Sequence, residues 1–270
     1  MRKILYILLL SFFSISCEKV VELNLDADAG RIVIDATLSA PEGKCKVIIS
    51  TTVDYYEKVE KKFISNAEIK ITNLKTNKFY SIPYIKNGEY ESKVEVEYNS
   101  QYQIEVKIEG IIYKGINYLG DPIEIDEIGI EIENEDNEVQ FKPYCSFMDI
   151  PNQNNYYRAV LYKNENRLSN LYFLEDDNKD KKNKMKMNLY NRRGRNDDDE
   201  NSEINSGDKV TIELLSLNKV TYEYYKALQK VNIINGNESD APGNPVSNLS
   251  NNVLGYFAVY YSSKKEIIAQ

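Results

Sequence analysis

Histidine and tryptophan are both absent from the 270 residues. Without His the chain lacks the commonest general base at neutral pH and the commonest metal ligand. Serine and cysteine nucleophiles of the usual kind lose the partner that activates them, and zinc is left with all-Cys or carboxylate ligand sets. Cysteines number 3, too few and too scattered for a disulfide framework. No Gly-x-Ser-x-Gly elbow, P-loop or EF-hand loop occurs. Basic excess is also missing. The formal net charge is -8, which repels phosphate backbones and argues against nucleic-acid binding. These absences lead us to expect a non-enzymatic protein with no cofactor, no metal and no catalytic residues.

What is present points to a folded β protein. Hydrophobic residues make up 42% and charged residues 28%, a balance that supports a packed core. Tyr outnumbers Phe by 22 to 8. Tyr suits half-buried strand positions, with the ring packed and the hydroxyl wet. It also suits recognition surfaces, and both readings stay open.

The N-terminus reads as a processing signal. Met1-Arg2-Lys3 is a short basic start, and Ile4 to Ile15 is almost wholly apolar. As a helix that run would rise about 18 Å, well short of the roughly 30 Å hydrocarbon core. It has the length and flanks of a signal peptide. The run closes on Ser14-Ile15-Ser16-Cys17, small residues followed by Cys, which resembles a lipobox. That resemblance implies acylation of Cys17 and cleavage before it. Residues 1–16 are then a signal peptide and 17–29 a lipidated tether. Two or three acyl chains, at about 0.8 kcal/mol per buried methylene, anchor firmly.

Alternating runs follow. Arg31 to Leu38, Cys45 to Val53, Ser65 to Thr72, Lys78 to Ile82 and Gln101 to Ile108 read as strands. Asn87-Gly88 is a type I′ hairpin signal. Residues 30–120 are predicted to form an Ig-like or prealbumin-like β-sandwich. Gly120-Asp121-Pro122 marks a boundary. Residues 121–270 are predicted to be a second β-sandwich-like domain, with strands near Ile123–Glu133, Val139–Met148, Tyr156–Lys163, Leu168–Leu174, Val210–Leu217 and Val253–Ser262. Gly129 is read as a bulge. Residues 219–231 form the one helical stretch, with Tyr222, Tyr225, Ala227, Leu228 and Val231 on one side. Cys45 and Cys145 are read as buried free thiols, with a bridge left open. The acidic run Asp197 to Glu200 reads as an exposed loop, and cation binding there stays open.

The loop from Asn235 to Asn252 is long for a connection and rich in Asn, Ser, Pro and Gly. Loops of that length often carry function. Asn244, Pro245, Ser247, Asn248, Leu249 and Tyr256 are therefore the candidate partner-binding residues.

Several stretches together resemble a Bacteroidota lipoprotein family known as domain of unknown function 4249. They are Cys17-Glu18-Lys19 through Arg31-Ile32-Val33-Ile34-Asp35-Ala36, then Asn155-Tyr156-Tyr157-Arg158 with Tyr162 and Lys163. Gly207 to Leu214, Tyr222-Glu223-Tyr224-Tyr225-Lys226-Ala227-Leu228, Pro242-Gly243-Asn244-Pro245, Ser247-Asn248-Leu249 and Leu254-Gly255-Tyr256-Phe257 complete the set. The resemblance implies an envelope lipoprotein, of a kind often encoded beside TonB-dependent receptors. The expected protein is an outward-facing outer-membrane lipoprotein, anchored through Cys17. It would be an accessory or binding subunit of a TonB-dependent receptor. The alternatives are a stand-alone glycan- or peptide-binding module and, third, a carboxylate-based hydrolase.

Overall fold

The computed structural model describes residues 30–53, 61–135, 138–176, 183–189, 203–233 and 244–270. The signal peptide, Cys17, the tether and the run Asp197 to Glu200 lie outside the described residues. The fold is all-β with one helix among the described residues.

The first strands are β1 (Ile32–Ala40), β2 (Lys44–Thr51), β3 (Glu68–Asn73), β4 (Phe79–Ser81), β5 (Tyr84–Lys86), β6 (Glu89–Lys93), β7 (Ser100–Ile108) and β8 (Ile111–Leu119). Then come β9 (Ile125–Glu135), β10 (Glu138–Met148), β11 (Asn155–Lys163), β12 (Asn166–Asp176), β13 (Lys184–Asn188) and β14 (Lys209–Leu217). Helix α1 (Lys219–Ile233) and β15 (Leu254–Ile268) complete the chain.

Local chemistry explains the elements. From Ile34 onward in β1 and throughout β7 the even-numbered residues are buried, so each strand turns one apolar face inward. Asn87 and Gly88 both have positive φ, 47° and 71°, as the predicted type I′ turn requires. Asn218 caps α1: its side-chain oxygen accepts from the Thr221 N–H at 3.0 Å. Cys45 and Cys145 are buried and free, and burial pushes both thiols up to about 12. The bulge read at Gly129 is not there. Gly129 pairs in register with Tyr144, whose ring occupies the space a Cβ would need. The register shift lies further along, between Ser146 and Phe147.

One sheet runs through the whole molecule. It has eight strands in the order β12-β11-β14-β15-β1-β2-β6-β5. A four-stranded sheet, β4-β3-β7-β8, packs against one half of it, and a three-stranded sheet, β13-β10-β9, against the other. The first core joins Ile34, Leu38, Val47 and Tyr90 to Ile71, Tyr102, Ile104 and Leu119. The second joins Tyr157, Leu161, Ile212 and Leu214 to Ile125, Cys145 and Phe147.

β15 is the spine. Its first half pairs parallel with β1, from Val33↔Leu254 to Ala40↔Tyr261. Its second half pairs antiparallel with β14, from Ser216↔Tyr261 to Lys209↔Ile268. The connection from β8 to β9 is tied to the middle of this strand: the Ser263 hydroxyl bonds Glu124 at 2.8 Å and accepts from the Ile125 N–H at 3.0 Å. The two predicted domains are thus not consecutive blocks. Leu249, Val253, Phe257, Val259 and Tyr261 pack in the first core, so the chain returns to close the N-terminal sandwich. The cause is the parallel pairing of β1 with β15, a long-range contact that no local pattern announces.

Candidate functional site

The outer face of the long sheet, opposite the second core, carries a separate aromatic layer. Tyr156, Val160, Leu215, Leu217 and Tyr222 are buried there, with Tyr162, Phe173, Tyr225 and Tyr260 packed around them. Helix α1 lies over part of it. Tyr222 sits edge-on to Phe173 at 5.5 Å and tilted on Tyr156 at 5.1 Å.

β11 explains how a charge comes to lie in this layer. It is buried on both faces from Asn155 to Leu161. Tyr157, Ala159 and Leu161 face the second core, so strand alternation turns Arg158 to the outer face, beneath α1. Arg158 is only 6% exposed. Its guanidinium lies 4.3 Å over the Tyr225 ring and 5.9 Å from that of Phe173. Among the described residues no carboxylate pairs with it, and its Nε is sealed from solvent with no hydrogen-bond partner. Burial lowers its pKa. The neighbouring Glu213 is engaged elsewhere. It accepts from Tyr162 at 2.7 Å and Ser262 at 2.6 Å, with Lys264 at 3.4 Å.

Asp35 projects from the same face of β1, in register with Tyr256. Its side chain is open to solvent, yet surrounding protein displaces enough water to push its carboxyl above the ordinary range. The fields of Lys61, Lys46, Arg158 and Arg167 oppose that rise. Tyr224, Tyr225 and Tyr260 feel the Asp35 charge and share its surroundings. Burial raises the Tyr224 and Tyr260 phenols to about 12, and that of Tyr225 further. Tyr224 stacks on Tyr256 at 4.2 Å and 19°. Asp35 and Arg158 therefore stand on the outer face of the same sheet without pairing, and neither is joined to a nucleophile.

The six loop candidates fare differently. Asn248 is a structural clamp. Its amide donates to the Phe257 carbonyl at 2.8 Å while its oxygen accepts from the Phe257 N–H at 2.8 Å. Leu249 is buried in the first core and bridges to Gly115. Tyr256 is 2% exposed and stacks under Tyr224. Ser247 accepts from the Leu249 N–H at 3.2 Å. Asn244 and Pro245 lie outside these contacts, Asn244 exposed and Pro245 half-buried. Leu249 and Tyr256 belong to the interior and Asn248 is half-buried, because the loop is tied down along β8 by Ser250 and Asn251.

A second pair of charges is buried beside the second core. Burial raises the Asp149 pKa, and the Asp176 carboxyl beside it raises it further. The Asn183 N–H donates to one Asp149 oxygen, and the other has no hydrogen-bond partner among the described residues. Asp149 is 1% exposed, so the pair is closed to a substrate.

A family model described as a domain of unknown function, DUF4249, matches residues 18–266, nearly all of the chain after the apolar start. The chain belongs to the DUF4249 family. No curated protein sequence matches it. Among solved structures, a two-domain fibronectin type III segment from chicken tenascin covers 70% of this chain and 90% of its own, at 10% identity and a TM-score of 0.21. So low a score supports no inference about role. In this DUF4249 protein, Asp35, Arg158, Tyr224, Tyr225 and Tyr256 all fall within the stretches that carry the family resemblance. A further signal was legible: Arg158 is the one charge in the run Tyr156-Tyr157-Arg158-Ala159-Val160-Leu161.

Proposed function

We propose that this DUF4249 protein is a non-enzymatic binding subunit, lipid-anchored through Cys17 to the outer membrane and facing outward, that serves a TonB-dependent receptor and holds a ligand at Arg158, under α1. The observation that carries the binding role is Arg158. An unpaired charge of this kind costs several kcal/mol to bury, and a ring contact such as that with Tyr225 returns only about 0.5–2 kcal/mol. A ligand group that completes the guanidinium offsets the remainder. The anchoring role rests on the lipobox-like order Ser14-Ile15-Ser16-Cys17, and the receptor on the family resemblance.

The test is protease shaving of intact cells, then affinity purification of the anchored protein and mass spectrometry of what accompanies it. Shaving of the body and recovery of a TonB-dependent receptor are expected. Cys17→Ala should release the protein from the membrane fraction. A protected body recovered alone would overturn the surface-partner reading. A ligand recovered with a receptor-free, soluble protein would favour a stand-alone peptide- or glycan-binding module instead.

A further inference from the structure

One end of the first sandwich gathers exposed apolar side chains around the point where the chain enters it. Gly30 and Arg31 stand there, at the head of β1. The Gly30 N–H donates to the Thr52 carbonyl at 3.1 Å, and the Thr52 N–H to the Arg31 carbonyl at 2.8 Å, with Val53 next in line. On one side, the Thr51 N–H donates to the Lys62 carbonyl at 2.9 Å. Phe63 then bridges to Ser50 and lies so close to the Asn87-Gly88 turn that a Cβ on Gly88 would stand 2.9 Å from its ring. On the other side, the Arg31 guanidinium donates to the Asn252 carbonyl at 3.1 Å. The Asn251 amide donates to the Ile112 carbonyl at 2.9 Å, which brings in the turn between β7 and β8. An unbroken run of contacts from Phe63 to Ile112 thus fixes these residues at one end of the lobe. Val53, Phe63, Ile111 and Ile112 are each 44% to 52% exposed there. Lys61, Lys62 and Lys86 are exposed beside them and enter no salt bridge among the described residues, whereas Lys44 and Lys46 elsewhere on β2 pair with Glu91 and Glu89. The Lys61 ammonium lies 5.8 Å from the Phe63 ring.

Clustered apolar side chains left in water and rimmed by cations mark an interaction surface. What leaves this end decides the occupant. Residues 17–29 join Cys17 to Gly30, and thirteen residues reach at most about 45 Å. A lipid on Cys17 ties this end of the body to the bilayer, and a tether turns even a weak second contact into an intramolecular one. We propose, on the reading that Cys17 is lipidated, that this end is a membrane-seating face. Val53, Phe63, Ile111 and Ile112 enter the headgroup layer of the membrane that holds the lipid, and Lys61, Lys62 and Lys86 meet its phosphates. Lysine suits that place, because its stem lies along apolar surface while its ammonium stays at the polar level. β15 starts at this end, where Leu254 pairs beside Val33, and the second lobe pairs with its far half. Seating of this kind holds the second lobe and Arg158 off the bilayer.

The chain has no Trp, so one introduced Trp reports from one place. The test reconstitutes the acylated mature protein into vesicles of phosphatidylethanolamine and phosphatidylglycerol, with and without bromine on the acyl chains, and reads Trp fluorescence. Phe63→Trp and Ile112→Trp should each be quenched by brominated lipid several-fold more than Ile268→Trp. Ile268 is also exposed, but it lies at the other end of β15, about 46 Å along the strand from Leu254. Phe63→Glu, read at Ile112→Trp, should cut the quenching roughly twofold or more, because a charge resists entry into the apolar layer. Equal quenching at all three positions overturns the proposal, and so does the absence of quenching at 63 and 112. Flotation of the vesicles separates this result from the anchor. If the protein does not float with them, the anchor fails and the seating with it. If it floats while 63 and 112 stay unquenched, the anchor stands and the seating alone is wrong. Shielding of 63 and 112 from an aqueous quencher by added receptor, without quenching by lipid, would also overturn the proposal and give this face to a protein partner.

Discussion

Arg158 and Asp149 are two buried charged groups with opposite consequences. Arg158 lies on a Tyr ring without an acid in contact. A methionine there keeps length and packing while removing the desolvation penalty. Arg158→Met should therefore raise the stability of the unliganded protein by about 1–3 kcal/mol, as replacement of buried charges by apolar residues often does. Thermal or urea unfolding checks this; a loss of stability would make Arg158 a structural residue rather than a binding one. Asp149 is buried beside Asp176, and burial first and that neighbouring acid second raise its carboxyl in the folded state. Below the ordinary carboxylate range both folded and unfolded chains hold the proton. As pH rises through that range the unfolded chain ionises first, so this group's effect on stability becomes unfavourable up to the raised folded pKa and stays so above it. Asp149→Asn keeps the acceptor for the Asn183 N–H. It should flatten that slope and raise the melting temperature at neutral pH, with little change at pH 3.

Helix α1 and strand β15 are fixed by a few polar and backbone details. Asn218 caps α1 and also donates to Asn117 and, at 3.1 Å, to the Tyr118 carbonyl of β8. Asn117 in turn donates to the Phe257 carbonyl at 2.7 Å and to Thr221 at 3.0 Å. This node ties the helix to β8 and β15, which fixes where α1 lies on the sheet. Asn218→Ala should cost about 1–2 kcal/mol, the upper range for a lost cap, and weaken ligand binding because Tyr224 and Tyr225 ride on the helix. Gly255 has φ +96°, and a Cβ there would stand 2.0 Å from the Ile34 carbonyl oxygen. That close approach is what lets β15 enter its parallel pairing with β1. Gly255→Ala combines left-handed strain with a backbone clash, so a loss of about 3 kcal/mol or more is expected by denaturant unfolding.

The whole molecule is organised by the eight-stranded sheet that both lobes share. A fragment of residues 30–120 contains every strand of the N-terminal sandwich except the one that pairs with the free edge of β1. It also lacks Phe257, Val259 and Tyr261 from the core. Such a fragment should not unfold cooperatively, and should bind a hydrophobic dye and associate through the open edge of β1. Residues 30–270 should give a cooperative transition. A cooperative, monomeric 30–120 fragment would show that β15 is dispensable to the first sandwich.

Much of the architecture is written in short stretches of the chain. Alternation in Ile32 to Ala40 and Ser100 to Ile108, the Asn87-Gly88 turn and the helix after Asn218 are all local properties, set by sterics and period over a few residues. The absence of His is local in the same sense, and it removes whole classes of chemistry before any fold is known. The lipobox-like segment is read from the sequence alone. The site is another matter. Arg158 was conspicuous as a lone charge in an apolar strand, but nothing local distinguishes Asp35 from the other acids of an alternating strand. The loop candidates rest on composition, and composition does not tell that Leu249 and Tyr256 are buried while Asn248 is half-buried and bonded at both ends of its amide. What only the tertiary structure decided is the parallel pairing of β1 with β15 and, through it, the meeting of Asp35, Arg158 and the α1 tyrosines on one face. Strand pairing is settled by the burial of faces contributed from opposite ends of the chain, and a group's charge becomes significant only once burial has stripped its water away.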